Sequence, residues 1–270
     1  MESLPSRAFS RDVEDDLDVV AGWLRQAQRV LFITGAGISA DSGLPTYRGV
    51  GGLYDGEATE DGLSIEDALS GEVLELRPDI TWKYLLQIER NCRDAAPNLA
   101  HRAIACLERR LQRVMVFTQN VDGLHRMAGS REVVEIHGNL RELRCSRCAH
   151  REAACLEGRE MPPRCPACGG VLRPEVVLFG EALPEDEMDR FVDALDEGFD
   201  LVFSIGTSGA FPYIAQPVAM AAAEGVPTVE INPASTRLSG LVDIRLPLGA
   251  AEAMSALLAR LGLDPACCPE

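Results

Sequence analysis

Val30-Leu31-Phe32-Ile33-Thr34-Gly35-Ala36-Gly37-Ile38-Ser39-Ala40-Asp41-Ser42-Gly43 runs from a short apolar stretch straight into a glycine-rich turn. Residues 30–34 have the length and branching of a strand buried on both faces of a parallel sheet. A turn at the end of such a strand brings backbone amides and a helix N-terminus toward a pyrophosphate. The spacing departs from G-x-G-x-x-G, and a glycine turn with a serine cap also occurs in α/β folds that bind no nucleotide. Residues 114–118, 201–205 and 228–231 repeat the apolar pattern. Helical patterns are expected over 15–28, 99–112, 184–196, 212–224 and 250–261. Strand and helix thus alternate, which makes the fold class α/β with a mostly parallel sheet.

Two stretches break the rhythm, 49–97 and 138–173, and are read as insertions forming a second, smaller lobe. The latter contains two C-x-x-C knuckles, Cys145/Cys148 and Cys165/Cys168, separated by a stretch of zinc-ribbon length. Small or polar residues inside the knuckles let backbone amides point at sulfur. The competing reading, a redox C-x-x-C pair, usually stands alone near a strand-helix junction. Four thiolates leave zinc no open position for water, so the expected metal holds the fold and does not catalyse. The remaining thiols, Cys92, Cys106, Cys155, Cys267 and Cys268, show no framework spacing and are expected to be reduced.

The chain has 270 residues, 46% of them hydrophobic, enough for a substantial core. No apolar run approaches the roughly 20 residues of a membrane span, and residues 1–18 are charged rather than signal-like, so no membrane contact and a cytoplasmic location are expected. The tail 265–270 is expected to be flexible. A net charge of −16 repels phosphate backbones, which argues against nucleic acid and favours basic peptide partners.

The segment Gly35 to Arg48, then Thr118-Gln119-Asn120-Val121-Asp122, His137-Gly138, Phe179-Gly180-Glu181, Gly206-Thr207-Ser208 and Glu230-Ile231-Asn232, in that order, resembles the sirtuin family. The resemblance covers about 30–251. It implies a Rossmann-type domain built from 1–48, 98–137 and 174–264, a zinc-binding and helical lobe from 49–97 and 138–173, NAD in the cleft between them, and NAD-dependent removal of acyl groups from protein lysines. In such chemistry the acyl-lysine oxygen attacks the nicotinamide ribose, nicotinamide leaves, and a base activates a ribose hydroxyl. His137 fits that base, since an imidazole titrates near neutrality. His101, His125 and His150 match no catalytic position.

By the same resemblance Asp122 holds the nicotinamide carboxamide, and Gln119 and Asn120 order the ribose and a water. Gly35, Ala36, Gly37, Ser39, Asp41, Tyr47 and Arg48 line the cofactor pocket. Gly206, Thr207 and Ser208 receive phosphate or ribose, Asn232 reaches the adenosine ribose, and Ala251 borders adenine. From residue type alone Ser39 and Asp41 serve equally as helix caps, and Asn232-Pro233 as a turn. An extended acyl-lysine peptide is expected to add a strand at 177–180, with Val177, Phe179 and Gly180 as contacts. Phe179 serves equally as a core residue.

Two departures from the family pattern stand out. Tyr47 replaces the phenylalanine of most relatives, which bears on turnover and on the balance between deacylation and ADP-ribosyl transfer, the alternative activity. A zinc-stapled NAD-binding regulator with little catalysis is a third reading. Relatives that remove acidic acyl groups use a Tyr-x-x-Arg pair on a lobe helix. Here Trp82 and Leu85 stand at that place, and Tyr84 is followed three residues later by Gln87, so acetyl or other neutral acyl groups are expected over succinyl.

Overall fold

The computed structural model describes residues 11–46 and 59–263. In chain order these form helix α1 (Arg11–Gln26), strand β1 (Arg29–Thr34), a 3₁₀ segment (Ala36–Ser42), α2 (Ile65–Ala68), α3 (Gly71–Leu76), α4 (Pro78–Arg93) and α5 (Leu99–Glu108). Strand β2 (Arg113–Thr118), α6 (Leu124–Met127), β3 (Val133–Glu135), β4 (Gly138–Cys145), β5 (Arg151–Ala153) and β6 (Leu172–Val176) follow. The chain continues through α7 (Glu185–Asp196), β7 (Leu201–Ile205), α8 (Pro212–Ala223), β8 (Thr228–Ile231), β9 (Ile244–Leu246) and α9 (Ala250–Arg260).

The large sheet is parallel throughout, in the order β3-β2-β1-β7-β8-β9. Side chains of β1 alternate between its faces, as the two-residue period of a strand requires. Val30 and Phe32 enter a core with Leu17 of α1, Ile104 of α5 and Leu257 of α9. Leu31 and Ile33 enter another with Phe191 of α7 and Val218 of α8. Helices therefore cover both faces, and only continuous apolar strands survive between them. Phe32 stacks on Phe203 at 4.9 Å, locking β1 to β7 on one face.

The fold class expected from sequence holds, with local differences. Strand β3 lies within the run Val133-Val134-Glu135-Ile136, which reads as a strand in the sequence, whereas β9 is not expected from it; the two widen the sheet to six strands. The turn after β1 enters a 3₁₀ segment rather than an α-helix, ended by Gly43 in the left-handed conformation and followed by Pro45. The helix expected over 99–112 stops at Glu108 because Arg113 already belongs to β2, where it pairs with Glu132 and Glu197.

A third core gathers buried residues between Ala68 and Cys92 with others between Leu140 and Leu178. Strand β4 pairs antiparallel with β5 and β6, and α2 to α4 pack against them through Leu74, Trp82, Leu85, Leu143 and Leu172. Trp82 is buried, and its indole N–H donates to the Leu172 carbonyl at 2.9 Å. Strand β6 runs across the boundary expected at 173/174. Among the described residues no helix is long and apolar enough to cross a membrane.

Candidate functional site

Chain connections leave β1 and β7 toward opposite ends of the sheet, so a crevice opens between their C-terminal ends. The two turns there touch backbone to backbone: Gly37 N–H donates to the Gly206 carbonyl at 2.9 Å, and Gly35 N–H to the Ile205 carbonyl at 3.0 Å. A Cβ on Gly37 would lie 2.6 Å from Gly206 Cα, and one on Gly206 only 2.4 Å from the Ile38 nitrogen. Both positions therefore demand glycine, for mutual packing of the turns.

Beside this contact a buried polar cluster forms. Ser39 Oγ donates to Asp122 Oδ2 at 2.8 Å and accepts from Asn120 Nδ2 at 3.1 Å. Asp122 also accepts the Leu124 amide at 2.9 Å. Burial pushes the Asp122 carboxyl above its usual range, against the opposing pull of the Leu124 amide, Ser39 and Arg141. Ala36, Ser39, Asn120 and Asp122 line a cleft whose other wall comes from α4 through Ile88, Asn91 and Cys92. His101 and His125 are fully or almost fully buried behind it, edge to face at 4.9 Å, and burial holds both imidazoles well below neutrality. His101 closes a capping box at the start of α5. His150, on the zinc lobe, pairs with Glu152.

His137 follows β3, and Gly138 begins β4 directly against β6. A Cβ on Gly138 would lie 1.8 Å from the Glu175 carbonyl oxygen, so no other residue fits after His137. The imidazole Nδ1 lies 3.0 Å from the Gln119 carbonyl, and Nε2 lies 2.8 Å from the Tyr213 hydroxyl. A carbonyl only accepts, so Nδ1 carries the proton and Nε2 the basic lone pair. Burial lowers the His137 pKa, partly opposed by the Gln119 bond, and keeps the ring neutral.

Gln119 Nε2 donates to Thr207 Oγ1 at 2.7 Å, tying the ends of β2 and β7. Asn232 sits at the end of β8; its Nδ2 donates to the Thr207 carbonyl at 3.3 Å, and its Oδ1 accepts Ala234 N–H. Asp41 Oδ2 accepts the Ala251 amide at 3.2 Å, so Asp41 caps α9 across the chain. Ser208 is exposed at the rim. Tyr47 and Arg48 lie outside the described residues.

Val177, Phe179 and Gly180 follow β6. Val177 N–H donates to the His137 carbonyl at 2.9 Å, linking this segment to the imidazole. Phe179 is half-buried, and its amide and carbonyl are both taken by residues 69 and 71 of the smaller lobe. The Phe179 backbone is therefore not available to pair with an added strand. Tyr84 Oη donates to Asp61 at 2.6 Å, and among the described residues no arginine stands beside it at the Tyr-x-x-Arg spacing.

The four knuckle sulfurs lie within 4.8 Å of one another. Cys145 and Cys168 are 3.5 Å apart, and Cys148 and Cys165 are 3.7 Å apart. A tetrahedron with Zn–S bonds of ~2.3 Å has edges of about 3.8 Å. Four cysteines at that spacing fit zinc and leave no position for substrate.

Sequence reasoning missed Tyr213 and the α4 wall of the cleft, and gave Val121 no role although it stands inside the motif 118–122. No motif marks α4, because helix packing alone brings it to this place; for Tyr213 the one signal is its position just past Gly206-Thr207-Ser208.

The Sir2 family model matches residues 35–211. The NAD-dependent protein deacylase 2 of Pseudomonas syringae pv. tomato is 50% identical over 245 residues, covering 89% of this chain and 98% of that protein. An NAD-dependent protein deacylase of Thermus thermophilus is 40% identical over 239 residues, covering 87% and 91%. Among solved structures, a Sir2 homolog–NAD complex superposes with a TM-score of 0.80 at 32% identity, covering 91% of this chain and 93% of that one. A Sir2–p53 peptide–NAD⁺ structure superposes with a TM-score of 0.78 at 26% identity, covering 90% and 98%. With a family model spanning more than half its length and relatives aligned almost end to end, the chain belongs to the Sir2 family.

Proposed function

We infer that this chain is an NAD-dependent protein-lysine deacylase, yielding nicotinamide, O-acyl-ADP-ribose and free lysine. The observation that carries the reading is the imidazole of His137, held with Nε2 as the basic atom by the carbonyl of Gln119, the residue next to Asn120 in the buried cluster of Ser39, Asn120 and Asp122. NAD, as co-substrate, supplies the electrophilic ribose carbon. His137 takes a proton from a ribose hydroxyl at Nε2 and later returns it. Asp122 and Asn120 hold the nicotinamide end, the turns at 35–37 and 206–208 take phosphates and riboses, and the acyl-lysine enters along 177–180.

The unit made of 1–48, 98–137 and 174–264 carries NAD, and the unit made of 49–97 and 138–173 carries zinc and covers the cleft. Acetyl and other neutral acyl groups are preferred over succinyl, because Gln87 and not an arginine stands three residues after Tyr84. Basic segments are favoured by the overall charge of −16. The groove beside Val177, lined by Glu135, Glu175, Glu181 and Glu187, adds little, since each of these carboxylates has an arginine partner. The expected workplace is the cytoplasm.

The test is mass spectrometry of an acetyl-lysine peptide with and without NAD, beside His137→Ala. Acetyl loss that requires NAD, accompanied by O-acetyl-ADP-ribose and reduced about 10²- to 10⁴-fold in the variant, supports the reading. An unchanged peptide with ADP-ribose on protein moves the assignment to mono-ADP-ribosyl transfer.

A further inference from the structure

The lone pair that His137 needs for catalysis is already engaged. Nδ1–H is given to the Gln119 carbonyl, so at Nε2 the Tyr213 hydroxyl at 2.8 Å is the donor. That phenol is well placed to hold its position. Tyr213 is the second residue of α8, after Pro212, and its ring stacks on Phe211 with centroids 5.4 Å apart and planes 12° apart. Both rings stand edge-on to the imidazole at 6.1 Å. Burial pushes the Tyr213 hydroxyl up to about 12, so it stays protonated and remains a donor across the working range.

We propose that Tyr213 is a positioning residue for the base: its hydroxyl holds His137 in the Nδ1–H tautomer, lowers the basicity of Nε2, and yields that nitrogen to the ribose hydroxyl when substrates bind. The inference rests on the reading of His137 as the base. A hydrogen bond donated to the neutral imidazole stabilises the neutral form, which lowers its pKa. When the ribose hydroxyl replaces the phenol, its proton moves to Nε2, the ring becomes imidazolium with Nδ1–H still on Gln119, and Tyr213 keeps its own proton. Every proton is accounted for without a second base.

Among the described residues, the titratable side chain facing His137 is Tyr213. Gln119 at the end of β2 offers a carbonyl, Phe211 a ring, and Val177 a backbone N–H to the His137 carbonyl. Glu135, two residues earlier, is paired with Arg126 at 3.1 Å.

The test is Tyr213→Phe, which keeps the ring and its stack while removing the donor. Two readouts are followed: the titration of His137 by NMR of histidine-labelled protein, assigned with His137→Ala, and the acid limb of the kcat/KM profile for an acetyl-lysine peptide. Both are expected to move upward by about half to one pH unit, the order of one net hydrogen bond. In the wild type, the imidazole nitrogen shifts should report the Nδ1–H tautomer. A folded Tyr213→Phe in which neither readout moves, or a wild type in the Nε2–H tautomer, overturns the proposal. The titration needs no turnover, so its result stands even if His137→Ala proves to retain deacylation and the functional reading fails.

Discussion

Arg173 and Glu181 face each other as a two-pronged ion pair beneath the segment that follows β6. Arg173 is 5% exposed and also donates to the Val176 carbonyl at 2.6 Å, while Glu181 accepts the Leu178 amide at 2.9 Å. One guanidinium thus closes the loop 176–181 on itself. Burial alone would raise the Glu181 pKa, but the bonds from Arg173 and Leu178 outweigh it and hold the carboxyl below its usual range. A depressed carboxylate stabilises the fold above its unfolded pKa of about 4.3, and that contribution fades as pH falls through the lower folded value. Arg173→Met should cost about 2 kcal/mol at pH 7, discounted for the partial exposure of Glu181, with the gap narrowing below about pH 4. Thermal melts of both proteins at the two pH values check this; equal melting at pH 7 would show that the pair braces nothing.

Asp122 carries the opposite sign. Its pKa is raised by burial, so its ionisation costs stability increasingly as pH rises above the unfolded value of about 3.9. Asp122→Asn keeps the acceptor for Leu124 and can donate to Ser39. It should melt higher than wild type at pH 7, by about 1 kcal/mol, with no advantage below about pH 4. Nicotinamide exchange should fall at least tenfold in the same variant. A protein that is destabilised at neutral pH would contradict the energetic reading of this site.

Gly206→Ala should destabilise by about 2 to 4 kcal/mol and weaken NAD binding, because its methyl group meets backbone atoms of the opposing turn. Gly225→Ala is the control: its φ of +75° is similar, but a Cβ there meets nothing within 4 Å. Its cost should be only the left-handed penalty, about 1 kcal/mol. Calorimetric titration with NAD and chemical denaturation of the pair separate steric contact from backbone strain. Equal losses in the two variants would remove the contact from consideration.

Zinc removal should unfold the three-stranded sheet without directly altering the cleft chemistry. Chelation or Cys148→Ser is expected to abolish metal content, measured as one zinc per chain in the wild type, and to lower the melting temperature. Cobalt substitution should preserve kcat within about twofold, since a closed site of four thiolates takes no part in turnover. A large change in kcat with cobalt would place the metal in the chemistry.

Legibility in the sequence followed the range of the interactions. Strands β1, β2, β7 and β8 were readable because burial on both faces leaves an unbroken apolar run, whereas β9 is only Ile244–Leu246 and at a sheet edge. The four cysteines were readable because the ligand spacing is local. His137, Asn120 and Asp122 were singled out through motifs, each a short run of neighbouring residues. Arg173–Glu181 and His137–Tyr213 were not legible, since each pair is assembled by tertiary packing. Asp41 illustrates the limit: residue type left cap and ligand equally open, and only the fold shows its carboxylate on the amide of Ala251, 210 residues away.

The parallel bridge between Ser70 and Phe179, with hydrogen bonds to Leu69 and Gly71 on either side, gives the molecule a mechanical property. The same short segment is bonded through Val177 to the carbonyl of His137 and through Phe179 to the helical insertion. It is a tie rod: tilting the insertion strains the backbone next to the imidazole, and anything that stiffens 177–180 restrains the insertion in turn. For any ligand whose affinity depends on the tilt of the insertion, the effect on a second ligand held at 177–180 is a coupling free energy equal in both directions.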